Sequence, residues 1–351
     1  MKILVISLAG IGDTLFATPL LHELRLNFPD ATIDALVMWP GSKDLLENNP
    51  HVSRVFQKNL LTCGRLAGIK FLAGLRHERY DFSINTHPQS RVHYRVAARI
   101  VGAKKRFSHG YDCSGALDRL LVNQTLPQDY SLHAAENNLA VLPLLGAKRK
   151  LSAPALKIFL TPDEQKWADD FLATKNLTGK KWLGVHVGSG GTKNLALRRW
   201  PLENFIELAQ RLQAEKNLPV LFFGGPEEKS AHEKILAEIP DAIVPPTKNL
   251  RQAAALLRRA RAFLSVDTAL MHVAAAMQVP AQIVIETPTW NKPIEPFGNP
   301  FTLVKNPAVA GRNLEFYRYD GGDIKGSRTE IIAAMASVKV AEVLAAVTQA
   351  V

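Results

Sequence analysis

The 351-residue chain is 47% hydrophobic and 21% charged, a globular balance, and no stretch approaches the roughly 18 apolar residues of a membrane span. That length exceeds what one core usually serves, so two domains are expected. Cys63 and Cys113 lie far apart without metal-ligand spacing, which excludes a disulfide framework or a zinc site, while the formal charge of +11 points to an anionic partner or a basic solvated surface.

Met1-Lys2-Ile3-Leu4-Val5-Ile6-Ser7 is too short for a signal-peptide core and reads as a buried first strand, so a cytoplasmic protein is expected. Further strands are predicted at 32–37, 54–56 and 81–85. Thr18-Pro19 fits a helix cap followed by proline, with Leu20, Leu21 and Leu24 on one face; a turn beginning nearer Thr14 and kinked at Pro19 fits as well. The charged, proline-bearing stretch 147–154 reads as a linker, which predicts a first domain over 1–150. Beyond it the scheme restarts, with strands at 182–186, 220–223, 262–265 and 282–285 and helices near 163–175, 202–216, 228–238 and 249–260. Residues 298–326, rich in Gly, Pro and Asn, read as an irregular crossing, and Ser337 as the cap of a last helix carrying Val340, Val343, Leu344 and Val347. Apolar runs alternating with amphipathic stretches predict an α/β protein with two parallel sheets and ligands at the carboxyl ends of their strands.

Three stretches hold the residues suited to chemistry. Leu8-Ala9-Gly10-Ile11-Gly12-Asp13-Thr14 turns tightly after the first strand but lacks the third glycine of a dinucleotide fingerprint. A carboxylate beside phosphate would repel it, so Asp13 is read as a base or hydroxyl binder, or alternatively as a helix cap. His186-Val187-Gly188-Ser189-Gly190-Gly191-Thr192-Lys193 offers N–H and O–H groups to a phosphate, with Lys193 and Arg198 as countercharges. It lacks the Gly-Lys-Ser/Thr ending of a P-loop, which argues against nucleotide hydrolysis; a basic loop without ligand is the other reading. Ser265-Val266-Asp267-Thr268-Ala269-Leu270-Met271-His272 carries a strand end into a helix whose N-terminus suits a diphosphate. His272 is read as either a site residue or a structural histidine.

These stretches, with Arg199-Trp200-Pro201 and Met271-His272-Val273-Ala274-Ala275, resemble the lipopolysaccharide heptosyltransferase family, glycosyltransferase family nine. The resemblance implies a GT-B fold of two Rossmann-like domains facing a central cleft. The acceptor would sit on domain 1–150 and an ADP-sugar on domain 151–326, with a helical segment 327–351 packing back on the first domain. It implies metal-free, inverting transfer of heptose from ADP-heptose, with no cofactor and no metal ligands. Asp13 matches the family's general base; Ser189, Arg198, Thr268 and Ala269 match donor-phosphate positions, with Thr192 and Lys193 in the same loop. Asp267 and His272 match the rest of that signature, Glu228 the ribose contact and Lys248 the adenine edge. Ala269 replaces a frequent glycine, Gly188 replaces a hydroxyl residue of some members, and Glu286-Thr287-Pro288-Thr289 departs from Gly-Pro-Thr.

Residues 1–150 hold 19 Lys and Arg against 12 Asp and Glu, most of the basic surplus. The implied acceptor is the acidic, phosphorylated inner core of lipopolysaccharide, at the cytoplasmic face of the inner membrane. Gly12, Arg91, Arg95, Lys104 and Lys105 are its candidate contacts, with a solvated basic face as the alternative. Competing readings are a same-fold transferase with another sugar nucleotide or a protein acceptor, a nucleotide-sugar-binding scaffold with no need of Asp13, and a nucleic-acid binder, for which no base-reading motif is present.

Overall fold

The computed structural model describes residues 1–191, 194–317 and 322–351. The described chain divides into two compact units, one formed by Met1–Phe159 and the other by the residues from Leu160 onward. The division falls later than 150 because the expected linker is held by the first unit. Lys150 and Leu151 donate their N–H groups to the buried Glu23 carboxylate at 2.9 and 2.8 Å, and Lys157 N–H donates to Thr18 Oγ1 at 3.1 Å.

The first unit has six strands: β1 Lys2–Ser7, β2 Thr32–Val37, β3 Arg54–Gln57, β4 Phe82–Asn85, β5 Lys105–Gly110 and β6 Gln124–Pro127. They pair in parallel in the order β3-β2-β1-β4-β5-β6. Such a sheet is covered on both faces, so its central strands carry continuous apolar runs such as Ile3-Leu4-Val5-Ile6. Ile3, Val5, Leu20 and Leu24 pack in one core layer, Leu4, Ile6, Leu72 and Ala98 in the other.

The second unit carries β7 Leu183–His186, β8 Val220–Phe223, β9 Ala262–Ser265, β10 Ala281–Ile285 and β11 Phe301–Val304, also parallel, in the order β11-β10-β9-β7-β8. The strand order reverses between β1 and β4 in one sheet and between β7 and β9 in the other. Ligands of open parallel sheets bind at such points, beyond the carboxyl ends of the strands.

Several sequence expectations change. The crossing 298–326 contains β11 and a short helix Asn313–Phe316. Both elements of the Thr14–Pro19 ambiguity occur: a helix Ile11–Leu15 ends, and a second, Thr18–Asn27, starts with Ala17 at its cap. Thr18 does not cap it, because its hydroxyl donates to the Leu15 carbonyl at 2.7 Å. Ser337 closes the helix Arg328–Ala336, which Ser327 caps, while Lys339 occupies the cap position of the last helix Val340–Ala350. Those two helices bury Met335, Val343 and Val347 in the core of the second unit, where the sequence expectation was packing on the first domain. Among the described residues no single helix is long and apolar enough to cross a membrane.

Candidate functional site

At the carboxyl end of β1 the chain turns at Gly10 into the short helix Ile11–Leu15. Asp13, one turn in, reaches back so that its Oδ2 accepts the Gly10 N–H at 2.6 Å. A Cβ at position 10 would stand 2.8 Å from that oxygen, so a side chain there would push the Asp13 carboxylate out of this position. Trp39 Nε1 donates to the Ala9 carbonyl at 2.6 Å and Thr14 to Ser42 Oγ at 2.8 Å, which tie the turn to the helix Pro40–Leu46. Asp13 is thus half-buried in a fixed direction, with Gly12 buried beside it.

Tyr94 and Tyr111 complete this edge, and the sequence reading missed both. Burial first and the Asp13 charge second push the Tyr94 phenol above its ordinary value. Burial likewise raises Tyr111, whose hydroxyl accepts the Gln89 N–H at 2.8 Å and lies 3.1 Å from His87 Nδ1. No sequence spacing marks these tyrosines; the β4 and β5 pairing brings them to Asp13's edge.

Of the basic candidates, Arg91 stands at the start of the helix Val92–Val101, beyond the carboxyl end of β4. Arg95 leaves the set of acceptor contacts. It is 1% exposed, pairs with Asp118 at 2.5 Å, donates to the carbonyls of Gln89, Ser90 and Arg91, and lies over the Tyr111 ring. Lys104 and Lys105 leave it too. They stand at the amino end of β5, where Lys104 bonds Asp81 at 2.7 Å and Lys105 lies over Phe82, a strand length of roughly 20 Å from the edge that holds Asp13.

In the second unit, β7 and β9 deliver their side chains to one point. Thr268 caps the helix Ala269–Ala276 by accepting the Met271 N–H, and its hydroxyl lies 3.1 Å from His186 Nδ1 at the end of β7. Ala269 opens the helix and offers its backbone at the positive end of the helix dipole. Arg198 is buried beside this end: its Nη1 donates to Asp267 Oδ2 at 2.6 Å and to Thr289 Oγ1 at 2.8 Å. Its buried Nε–H has no partner among the described residues. Burial pushes the Asp267 carboxyl up, and the Arg198 charge pulls it back. His272 Nε2 lies 4.0 Å from Asp267 Oδ1 and is pushed down to about 3, by burial and then by Arg198, so it is neutral.

A second group adjoins it. Arg199 Nη2 donates to the Ser189 carbonyl at 2.9 Å and lies 3.5 Å from Glu228 Oε1, while Glu228 Oε2 accepts the Gly225 N–H at 2.9 Å. A Cβ at Gly188 would run into the Glu228 carboxylate as it stands, so the glycine leaves room for that side chain. Ser189 Oγ donates to the Leu195 carbonyl at 2.8 Å. Lys248 is exposed ahead of the helix Leu250–Leu257, and its N–H donates to Gln252. Thr192 and Lys193 lie outside the described residues. Thr289 and Arg199 were not singled out as site residues, although a hydroxyl after β10 and a second arginine before Trp200-Pro201 are visible in the sequence.

The model of glycosyltransferase family 9 (heptosyltransferase) matches residues 69–315. The chain belongs to that family. This family 9 chain is a glycosyltransferase. It is 24% identical, over 98% of its length and 100% of the relative's, to lipooligosaccharide heptosyltransferase 2 of Haemophilus influenzae. A family 9 glycosyltransferase from Veillonella parvula superposes with a TM-score of 0.77 at 22% identity, covering 99% of this chain and 96% of that one. The Escherichia coli heptosyltransferase WaaC with ADP gives 0.65 at 22%, covering 83% and 88%. These likenesses establish the GT-B fold class for the family 9 chain.

Proposed function

We propose that this glycosyltransferase moves heptose from ADP-heptose to the inner core of lipopolysaccharide, by inversion and without a metal. The observation that carries the reading is the buried Arg198, which pairs with Asp267 just ahead of the Thr268-capped helix start and whose Nε–H has no partner among the described residues, an arrangement suited to a diphosphate that gains charge as it leaves. The names of the relatives support the acceptor class, and the ADP in the Escherichia coli structure supports the donor.

In this reading Asp13 takes the proton of the acceptor hydroxyl while that oxygen attacks the anomeric carbon. The bond to the diphosphate oxygen breaks, its electron pair leaves with ADP, and the configuration inverts. Gly10 N–H aims the carboxylate, while Gly12 and Arg91 stand on the acceptor side. Ser189, Thr268, Ala269 and Arg198 receive the phosphates, with Thr192 and Lys193 assigned to the same loop. Asp267, which holds Arg198, and His272 beside it complete the donor side, Glu228 takes the ribose and Lys248 the adenine edge. The acceptor partner is acidic and phosphorylated, met at the cytoplasmic face of the inner membrane.

The test is incubation with ADP-heptose and defined truncated core acceptors, with and without chelator, followed by mass spectrometry and assignment of the new anomeric configuration. One heptose added to one acceptor, inverted and chelator-insensitive, is expected. Transfer that needs divalent metal, or retains configuration, overturns the mechanism, and no transfer from ADP-heptose overturns the donor. Asp13→Asn keeps an oxygen for Gly10 N–H but takes no proton, so turnover falls by about 10²-fold or more with ADP affinity and melting temperature little changed. An Asp13→Asn variant that stays active assigns Asp13 to capping alone.

A further inference from the structure

Three helices of the first unit pack side by side, Arg65–Gly74 and Ala116–Leu121 each against Val92–Val101, which itself lies on the sheet, and they leave their outer faces bare. Leu66, Ile69, Val92, Leu117 and Leu120 are exposed there, from 41% at Val92 to 84% at Leu66, and Leu61 is exposed in the turn ahead of the first helix. Single exposed leucines are ordinary, but monomers rarely show such side chains on three adjacent helices. Between them stand exposed Arg65, Lys70, Arg99 and Arg119. Residues 48–77 and 82–111 contain no Asp or Glu at all, and Asp118 is taken up by Arg95.

From this pattern we propose that the face docks on an anionic lipid bilayer. Apolar side chains enter the boundary between headgroups and acyl chains while the interleaved cations meet the lipid phosphates. A second copy of the chain fits less well, since a twofold contact would bring the same cations together. The face also starts in the right place: its helices follow the carboxyl ends of β3, β4 and β5, the edge that holds Gly10 and Asp13. Docking sets that edge against the lipid, where a lipid-borne acceptor displays its sugars.

The full chain is sedimented with phosphatidylcholine vesicles and with vesicles in which about a third of the lipid is phosphatidylglycerol, at low and high salt. Binding to the anionic vesicles alone, weakened by salt, is expected. Arg65→Gln/Lys70→Gln/Arg119→Gln cuts it roughly a hundredfold, about fivefold for each charge. Leu66→Ser/Ile69→Ser/Leu120→Ser cuts it by about tenfold or more while keeping the wild-type melting temperature. Failure to bind anionic vesicles, or equal binding by all three proteins, overturns the proposal. So does a wild-type dimer in sedimentation equilibrium that the apolar variant abolishes, which assigns the face to self-association. Neither donor nor acceptor is present, so the outcome is independent of the heptose-transfer reading.

Discussion

Arg198 and Asp267 are buried together, and each loses its countercharge if the other is removed. Arg198→Ala therefore has two expected effects. Loss of a charge-assisted phosphate contact weakens ADP binding by roughly ten- to a hundredfold. Stability also falls, because an unpaired carboxylate is left in the interior. The second effect has a definite sign with pH. Without Arg198, burial alone acts on Asp267 and raises its folded value further above the unfolded one, so the folded variant holds a proton that the unfolded chain has released. The stability deficit then grows as pH rises through that interval, and the difference in melting temperature from wild type should be larger at pH 8 than at pH 5. Equal differences, with unchanged ADP affinity, remove Arg198 from the donor site. Sequence alone placed Arg198, Asp267 and Thr268 in one site because a strand end, a glycine loop and a helix start each leave a local signature. Thr289 is visible as a hydroxyl after β10, but its pairing with Arg198, like the tyrosines near Asp13, was not legible, since only the strand order brings these groups near. Arg95, Lys104 and Lys105 misled for a related reason: charge is visible in a sequence, but the end of the sheet on which it falls is not.

At the scale of elements, the helix Ala269–Ala276 depends on one hydroxyl. Thr268 Oγ1 accepts the Met271 N–H and meets His186 Nδ1, so Thr268→Ala removes a cap and leaves a buried imidazole nitrogen without its partner. A cap is typically worth about 1 kcal/mol and an orphaned buried polar atom about 1–3. A domain of this size loses roughly 2–4 °C for each kcal/mol, so Thr268→Ala should lower the melting temperature by several degrees while Thr268→Ser stays near wild type. A serine variant as unstable as the alanine one assigns the loss to the methyl group and its packing. The elements legible in the sequence were those with continuous apolar runs, such as β1, β8 and β9. β6, with the pattern Gln-Thr-Leu-Pro, and β11 are sheet edges and half exposed, and β5 opens with Lys105 and Arg106, so none shows the run that marks a strand buried on both faces.

For the molecule as a whole, two parallel sheets were readable because each buried strand carries its own signal, whereas the unit boundary depends on the distant bond from Glu23 to Lys150 and Leu151. Both units also bury histidines beside their switch points. His109 is pushed down to about 4 by burial, and His87, behind it, is lowered well below its ordinary value by burial and by the neighbouring His109 and His133. In the second unit, burial holds His186 and His272 at about 3, with Arg199 and Arg198 adding to it. Each folded value is below the unfolded 6.5, so as pH falls through that value the unfolded chain takes up protons that the folded chain refuses, and stability drops. At pH 5 this costs about 2 kcal/mol for each histidine held at about 3 or 4, hence about 4 kcal/mol in the second unit, against a typical total of 5–15. Carboxylates do not cancel it in this window. Glu78, held at about 2 chiefly by its hydrogen bond to Arg54, loses its contribution only below pH 4.5, and Asp267 alone, raised by burial, works in the opposite direction. With a urea dependence of about 2–3 kcal/mol per molar, the unfolding midpoint followed by circular dichroism should fall by roughly 1–2 M between pH 7.5 and pH 5.0. His272→Gln and His109→Gln should narrow that fall, each replacing a group that charges in the unfolded state with one that does not. A midpoint unmoved across this interval, in the wild-type chain, would mean that these imidazoles are protonated in the folded state as readily as in water.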